Sequence, residues 1–416
     1  MEKSEFYKHA VPDASGVRGP LTGLRVLEAT IFGAGPMSGM VLCDLGAESI
    51  RCEMPGAGDT TRSWPPSLGE PGDINSSIWY LTFNRGKKGV TLDFRKPAGQ
   101  ALFKQLAAHA DVVVENFTPG TMEKWNLGYQ DIRKVKPDII YVSVSGFGQF
   151  GPLREKKGLD QIAQAMGGVM SATGEKGGPP LRSGYALGDN LSGWLGAMGA
   201  LAALTYRDKT GRGQWVDASM CDAILYVSDM KVLGTANAGY KVERMGNGID
   251  GGPFNTYVCK DGAYVFIHAV FDAHWARFCE VMGCPELAQD ARTKTWEDRA
   301  RNIGLVDQLV GDWVAQRTVD EVVDTLDAAG VTVAPVLGFP EIIHNAHFRD
   351  RESVVDIDYP KLGKVTTFGV PVKYSTTPAR VAGPAPELGQ HNAEVYGGLL
   401  GLDAARLAEL KAQGII

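Results

Sequence analysis

Asp189 is the single charged residue between Ser183 and Tyr206. Apolar residues recur around it at helical spacing, so the segment predicts a buried helix. The pattern is formed by Leu191, Trp194, Leu195, Met198, Leu201 and Ala202. A carboxylate in such a setting is costly unless something pairs with it or uses it. Two interpretations stay open: Asp189 caps the helix by accepting its first N–H groups, or it is a nucleophile that the helix N-terminus keeps ionised.

A second segment that suggests chemistry is the glycine-rich stretch 33–39, which follows a strand-like pattern and opens a helix-like one. Glu53 follows Gly33 by 20 residues (53 − 33), at the end of the next strand-like segment. That arrangement imitates a dinucleotide-binding fingerprint. The spacing is G-x-G-x-x-x-G, however, and Pro36 stands in the first helical turn. The motif is therefore weak support for NAD binding.

The elements that position these residues alternate between strand and helix over the first third of the chain. Strand patterns cover 25–28, 49–53, 111–115 and 139–144, and helix patterns cover 36–45 and 98–110. Such alternation predicts an α/β fold, a Rossmann-like large domain whose parallel sheet is wrapped by helices. We expect its first part to span residues 1–220.

Beyond this domain the pattern changes. Residues 221–250 are predicted to be a linker that ends in a glycine-rich loop, and residues 251–335 a smaller α+β domain. Lys260-Asp261-Gly262 is a hairpin signal between two strand-like segments, 257–259 and 263–267.

Composition excludes several classes of function. The chain has 416 residues, a formal charge of −6 and a pI near 5.7, which gives no electrostatic reason to expect nucleic acid. Six cysteines without C-x-x-C spacing, and histidines without an H-E-x-x-H pattern, predict no disulfide framework and no metal site. The N-terminus lacks a secretory pattern, and glycines interrupt the apolar run around Asp189. We expect a soluble cytoplasmic protein with no membrane partner. The pairs Lys87-Lys88 and Lys156-Lys157 are interpreted as solvated surface or as phosphate contacts.

Eight motifs in a shared order, spanning residues 24–392, resemble the class III CoA-transferases, the superfamily of formyl-CoA and carnitine CoA-transferases. They are L-R-V-L-E-A-T (24–30), G-A-G-P (33–36), G-D-T-T-R (58–62), F-N-R-G-K-K-G-V-T-L-D (83–93), V-V-E-N-F (113–117), A-Q-A-M-G-G (163–168), T-G-R-G-Q (210–214) and L-G-Q-H-N (388–392). The family's nucleophilic aspartate stands in a G-D pair, which is Gly188-Asp189 here. The resemblance implies that Asp189 is catalytic.

α-Methylacyl-CoA racemases share this superfamily and need a histidine directly before an aspartate, after an F-G-Q-x-G-P segment. This chain has F-G-Q-F-G-P at 147–152 and then Gly158-Leu159-Asp160. Leucine cannot exchange a proton. The substitution favours a transferase over a racemase.

The resemblance also implies where coenzyme A binds, as a thioester substrate with no permanently bound cofactor. The start of the helix after Gly33 would meet the CoA pyrophosphate, because glycines allow a phosphate to approach the backbone. Two departures weaken the transfer of adenosine contacts: the family's glutamine is Gly33 here, and an arginine after the second strand is Met54. Carried over by position, the CoA contacts are Gly33, Ala34, Leu92, Arg95, Asn116, Phe117, Thr118, Lys124 and Lys157. For Lys157 an exposed lysine in a charged loop is the alternative.

G-N-G-I-D-G-G at 246–252 matches in position the glycine loop that covers the active site in formyl-CoA transferase. The resemblance implies a lid containing Gly246, Gly248, Gly251 and Gly252, and a flexible linker between domains is the alternative. Asp160 aligns with an acidic position near the nucleophile and would orient a substrate or hold a loop. Gln161 and Gln164 would do likewise, or lie on a helix surface.

The family further implies that residues 336–416 return to complete the large domain, and that two ring-like chains interlock as a homodimer. A heterodimer with a related subunit is also open. The expected reaction moves CoA from an acyl-CoA donor, for which succinyl-CoA is a plausible choice, to a small carboxylic acid. Two alternatives remain: an isomerase of the superfamily, acting by intramolecular CoA transfer or α-epimerisation, and a non-catalytic CoA-binding subunit.

Overall fold

Six parallel strands form the central sheet of the computed structural model, which describes residues 1–12, 15–70, 72–249 and 251–416. The strands are β1 Arg25–Ala29, β2 Glu48–Glu53, β3 Lys88–Thr91, β4 Val112–Glu115, β5 Ile140–Ser145 and β6 Trp215–Ser219. Their spatial order is β3-β2-β1-β4-β5-β6, which is the doubly wound order of Rossmann-like folds. The predicted α/β class with a parallel sheet is confirmed.

The central strands β4 and β5 are rich in β-branched residues that face both sides of the sheet, as in Val112-Val113-Val114. All four residues of β4 and all six of β5 are buried. Strand order reverses between β1 and β4, so a crevice is expected at the carboxyl ends of these two strands. Ile31 follows β1 and Asn116 follows β4 at this point.

Helices cover both faces of the sheet. They are α1 Lys3–Phe6, α2 Ala34–Asp44, α3 Ile78–Asn84, α4 Pro97–Ala108, α5 Thr121–Lys124, α6 Tyr129–Val135, α7 Asp160–Met166, α8 Val169–Ala172, α9 Leu187–Thr210, α10 Met220–Tyr226, α11 Lys231–Ala238, α12 Asp272–Met282, α13 Trp296–Arg301, α14 Ile303–Val314, α15 Val319–Ala328, α16 Phe339–Ile342, α17 Ala346–Asp350, α18 Asn392–Leu400 and α19 Ala404–Ala412. Two 3-10 turns lie at Thr60–Ser63 and Pro285–Ala288.

Contacts divide the chain into two compact units. Unit 1 comprises residues 1–169, 182–234 and 346–416, and unit 2 comprises 170–181 and 235–345. The sequence-based division left 170–181 with the first part of the large domain and began the return segment at 336. In unit 1, an antiparallel pair of strands, β10 Val354–Tyr359 and β11 Gly363–Phe368, precedes the last two helices.

Two side chains at the start of α18 form hydrogen bonds with the edge strand β3. His391 Nδ1 accepts the Gly89 N–H (3.1 Å), and Asn392 Oδ1 accepts the Thr91 N–H (2.9 Å). The His391 N–H donates in turn to the Gly89 carbonyl (2.9 Å). These bonds satisfy backbone groups that an edge strand would otherwise expose.

Unit 2 contains a three-stranded antiparallel sheet, β7 Phe254–Val258, β8 Tyr264–His268 and β9 Thr332–Pro335. The predicted hairpin is confirmed, with its turn at 259–263. Trp275 and Phe278 of α12 are buried in the core that this sheet shares with α14 and α15.

Two further features can be compared with the sequence expectations. All six cysteines are free thiols. Within the described ranges, none of the helices has the length and apolar character needed to cross a bilayer.

Candidate active site

Asp189 is the third residue of α9, and the helix begins two residues before it at Leu187. Asp189 is therefore not the N-cap, which is Ala186, so the capping interpretation is wrong. Asp160 accepts the Gly188 N–H on Oδ1 at 2.7 Å and supplies the hydrogen bond that a cap would give. The carboxylate of Asp189 is therefore not needed to cap the helix.

The buried face of α9 differs from the predicted one. Small residues face the core: Ser192, Gly193, Gly196, Ala197, Ala200 and Ala203. Trp194 and Met198, which were expected to be buried, are 51% and 58% exposed. Because α2 packs closely against α9, only small side chains fit between them. A Cβ at Gly193 would lie 2.6 Å from the Met37 side chain, and Ser38 Oγ donates to the Gly193 carbonyl at 2.8 Å.

This close approach brings the N-termini of the two helices together. Gly33 is the N-cap of α2, and a Cβ placed on it would lie 2.8 Å from Asp189 Oδ2. Glycine leaves the space that the carboxylate occupies. The unpaired N–H groups at the start of α2 favour negative charge there.

Burial, and secondly the negative charge of Asp160, raise the pKa of Asp189 to about 7. The two helix N-termini act in the opposite direction, because their dipoles favour the ionised form. A carboxylate with a raised pKa is a stronger nucleophile than an ordinary one, and titrates in the range where enzymes work.

Asp160 is itself held in place by Gln164. Gln164 Nε2 donates to Asp160 Oδ2 (2.8 Å) and to the Tyr185 carbonyl (3.1 Å), while its Oε1 accepts the Ser183 N–H (2.9 Å). Both side chains are buried. Gln164 therefore connects α7 to the segment that leads into α9, and its helix-surface interpretation is wrong.

Eight of the nine sequence-derived CoA contacts follow β1, β3 or β4 in the chain, and Lys157 follows β5. Gly33 and Ala34 follow β1 at the Asp189 carboxylate. Asn116 follows β4 and hydrogen-bonds the backbone of Ile31. The structure thus brings Gly33, Ala34, Asn116, Asp160 and Asp189 into one cluster, which we call the aspartate cluster.

A second group surrounds an aromatic cluster at the ends of β3 and β4. Leu92 is buried, and the exposed Arg95 forms an ion pair with the buried Asp93 at 2.9 Å. The Phe117 ring packs against Trp125 at 5.1 Å, next to Lys124. Thr118, Lys124 and Lys157 are exposed.

The glycine segment 246–252 belongs to unit 2, and its Asp250 lies outside the described residues. Gly246 is exposed, with φ +63°, and its N–H donates to the Gly174 carbonyl at 2.8 Å. Gly248 is partly buried. Gly251 and Gly252 are buried, and a Cβ on Gly251 would lie 2.0 Å from Trp296 Nε1. These last two glycines therefore have a packing role within their own unit.

Sequence reasoning missed a set of buried charges beside the aspartate cluster. Arg51 pairs with Asp59, and Arg62 pairs with Glu53 at 2.7 Å, all fully buried. Lys87, which the sequence left as solvated surface or a phosphate contact, is buried and pairs with Glu28 at 2.8 Å. The signals that could have found them are the motifs themselves: G-D-T-T-R (58–62) contains Asp59 and Arg62, and the motifs at 24–30 and 83–93 contain Glu28 and Lys87.

Groups of histidine, cysteine and acidic side chains arranged to hold a metal ion are not found among the residues that the structure describes.

Comparison with known proteins identifies relatives over nearly the whole chain. Residues 21–392 match the family model described as CoA-transferase family III. A succinyl-CoA–D-citramalate CoA-transferase of Chloroflexus aurantiacus is 38% identical, over 95% of this chain and 98% of its own length. A formyl-CoA:oxalate CoA-transferase of Streptomyces avermitilis is 36% identical, over 95% of this chain and 99% of its own.

A solved structure is similar over nearly the whole chain as well. A CAIB/BAIF family protein from Brucella suis superposes with a TM-score of 0.84 at 32% identity, covering 92% of this chain and 100% of that one.

Proposed function

Because the chain belongs to CoA-transferase family III, we propose that it transfers coenzyme A from an acyl-CoA donor to a free carboxylic acid, with Asp189 as the nucleophile. The observation that carries this proposal is the placement of Asp189. Its partly buried carboxylate stands at the N-terminus of α9, against Gly33 at the start of α2. Its pKa of about 7 leaves a substantial ionised fraction at neutral pH.

In the proposed first half-reaction, an Asp189 Oδ attacks the carbonyl carbon of the donor thioester. The C–S bond breaks, CoA thiolate leaves, and a mixed anhydride joins Asp189 to the acyl group. The thiolate then attacks the Asp189 carbonyl carbon, the anhydride C–O bond breaks, and the donor acid leaves. An aspartyl-CoA thioester remains, which conserves the energy of the original thioester without ATP.

The second half-reaction reverses these steps with another acid. The acceptor carboxylate attacks the aspartyl thioester, releasing CoA thiolate and forming a new anhydride. The thiolate attacks the acceptor carbonyl carbon, so that acceptor-CoA leaves and the Asp189 carboxylate is restored. Anhydrides hydrolyse, so water must be kept from Asp189 while they exist. We propose the segment 246–252 as the lid, with movement at Gly246 and Gly248, because Gly251 and Gly252 are buried within unit 2.

For the substrates, the names of the relatives suggest a choice. Several are transferases that use succinyl-CoA with citramalate, malate, glutarate or mesaconate as the acceptor. We propose succinyl-CoA as the donor and a small dicarboxylic acid as the acceptor. CoA would lie along the carboxyl edge of the sheet, with its pyrophosphate at Gly33 and Ala34. The other proposed contacts are Leu92, Arg95, Asn116, Phe117, Thr118, Lys124 and Lys157.

Leu159 argues against proton exchange by a histidine-aspartate pair. It precedes Asp160, and its side chain is 59% exposed. A leucine cannot remove a proton from an acyl-CoA, so the position a racemase needs for its base is filled by an inert group.

We also propose a homodimer as the functional assembly, as the family resemblance implies. One relative is named as the β subunit of a succinyl-CoA–L-malate CoA-transferase, which makes a heterodimer the alternative. Sedimentation of the purified chain would distinguish the two.

The test is to incubate the protein with succinyl-CoA, formyl-CoA and other donors, to quench with borohydride, and to map reduced residues by peptide mass spectrometry. Reduction at Asp189 is the expected result, because borohydride reduces an aspartyl thioester to an alcohol. A matched control is Asp222→Asn, since Asp222 is also the third residue of a helix. We expect Asp222→Asn to be labelled normally and Asp189→Asn to take no label and lose transfer activity by at least about 1,000-fold.

An unlabelled Asp189 with every donor, in a protein that binds CoA, would contradict the proposal. Movement of CoA between two carboxylates of one molecule, without a free acid acceptor, would instead identify an intramolecular transferase.

A further inference from the structure

The segment from Thr30 to Gly33, which connects β1 to α2, has an unusual backbone. Phe32 adopts φ +59°, the left-handed region that residues with a side chain rarely occupy. Such a conformation persists only where the surroundings impose it. The contacts that impose it here come from three other parts of the sheet edge.

Asn116 holds the segment from the end of β4. Its Oδ1 accepts the Ile31 N–H and its Nδ2 donates to the Ile31 carbonyl, both at 2.8 Å. One amide thus binds both backbone groups of a single residue, across the point where the strand order reverses. A Cβ on Gly35 would lie 2.6 Å from the Asn116 side chain, so the amide also packs against the first turn of α2.

Asp59 and Arg51 hold the same segment from the other side. Asp59 Oδ2 accepts the Phe32 N–H at 3.0 Å, and its Oδ1 accepts the N–H of Thr61 at 2.7 Å. Arg51 Nη2 donates to the Thr30 carbonyl at 3.2 Å and also to Asp59. Asp59 and Arg51 are fully buried. Every residue from Thr30 to Phe32 therefore has a backbone group fixed by a side chain from elsewhere.

We propose that Asn116 and Asp59 are positioning residues for the reaction, because they hold the segment Thr30–Gly33 against the Asp189 carboxylate. Neither bonds Asp189. They act through Gly33, the next residue after Phe32, whose Cα hydrogen points to Asp189 Oδ2. This inference rests on the proposed function of Asp189, and it gives Asn116 a role in the chain itself that is separate from any contact with CoA.

The segment Thr30–Gly33 lies beside the Asp189 carboxylate. It forms one wall around the carboxylate and places the N-terminus of α2 beside it. If the segment relaxes, water reaches Asp189 and the attacking oxygen loses its fixed position. A displacement of about 1 Å at a reacting group can cost about 100-fold in rate.

The primary variant is Asn116→Ala, which removes both bonds to Ile31 without changing any charge. Its matched control is Asn302→Ala in unit 2, because Asn302 Nδ2 also holds backbone groups, the carbonyls of Arg292 (3.1 Å) and Asp298 (2.9 Å). A second variant, Asp59→Asn, can accept the Phe32 or the Thr61 N–H but not both.

Three measurements test the proposal. Hydrogen exchange at Ile31 and Phe32 should accelerate in Asn116→Ala and not in Asn302→Ala. The single-turnover rate of Asp189 labelling by the donor should fall about 100-fold in Asn116→Ala. The pH midpoint of labelling should move below that of the wild type, because water relieves the burial that raises the pKa of Asp189. A purely structural role would lower stability without moving this midpoint.

The proposal is overturned if Asn116→Ala labels Asp189 at the wild-type rate with an unshifted midpoint, although exchange at Ile31 has accelerated. Failure of the proposed function looks different, since wild-type protein itself would then take no label from any donor. In that case the titration of Asp189, followed by carboxyl NMR in wild type and Asn116→Ala, still decides whether the segment is held against it.

Discussion

Glu53 and Asp189 are both carboxylates removed from water in unit 1, and their pKa values move in opposite directions. Glu53 is the last residue of β2 and accepts hydrogen bonds from Arg62, Tyr80 and the Asp59 backbone. Burial alone would raise its pKa, but the charges and hydrogen bonds of Arg51 and Arg62 lower it to about 2. Asp189 faces Asp160 and Gly33, and its pKa rises to about 7.

The difference shows that cationic partners decide whether burial raises the pKa of a carboxylate, as at Asp189, or is outweighed, as at Glu53. Glu53 is fully neutralised by cations, so it is ionised at every ordinary pH and unreactive. The charged group that raises the pKa of Asp189 is another carboxylate, Asp160, and a helix N-terminus lies beside Asp189 in place of a cation. In the proposed reaction, this unneutralised carboxylate is the group that attacks the thioester carbon.

Glu53→Gln removes the ion pair between Glu53 and Arg62, and of the variants considered it should have the largest effect on stability. It leaves the buried Arg62 guanidinium without its carboxylate, which typically costs about 3–5 kcal/mol. The measurement is the free energy of unfolding from urea titration.

The pH dependence of the free energy of unfolding provides the control for Glu53→Gln. The folded-state pKa of Glu53 is lowered from 4.5 to about 2, so its stabilisation is complete above pH 4.5 and is lost as the pH falls through 2. The difference between wild type and variant should shrink over this window. A difference that is independent of pH would assign the loss to packing instead.

Asp189→Asn tests the carboxylate that has no cationic partner. It should stabilise the protein and abolish CoA transfer. The pKa of Asp189 is raised from 3.8 in the unfolded chain to about 7 in the fold. The wild type therefore loses stability as the pH rises from 3.8 through 7, whereas the amide does not titrate. We expect the variant to gain about 2 kcal/mol on the wild type between pH 4 and pH 8, after allowance for partial exposure. Equal changes in the two proteins over this range would show that Asp189 is not perturbed.

Asp160→Asn should have the smallest effect and sharpens the comparison between burial and charge. It removes the negative charge beside Asp189 and keeps an oxygen that can accept the Gly188 N–H. The acid limb of the pH–rate profile should move below 7 by about one pH unit, because burial, the larger cause, remains. An unchanged limb would mean that burial alone raises the pKa of Asp189.

The parallel sheet and the candidate nucleophile could be predicted from the sequence. The alternation of strand and helix patterns predicted the parallel sheet, because strand and helix periodicities are local properties of the sequence. Asp189 stood out as an isolated charge in an apolar segment, and the family resemblance of the Gly188-Asp189 pair made it the predicted nucleophile. The exposed and buried faces of α9 were assigned wrongly, since hydrophobicity alone cannot show that α2 lies too close for a tryptophan.

What the sequence by itself determined was the set of local elements, the hairpin around Asp261 and, through its motifs, the family. The same motifs predict Asp189 as the nucleophile. What only the tertiary structure decided was which side chains meet. Asp160 reaches Gly188 from another helix, and Asn116 reaches Ile31 across 85 residues. Such contacts set whether a buried carboxylate is neutralised or left reactive, because electrostatic energies depend on distance in space and not on separation along the chain.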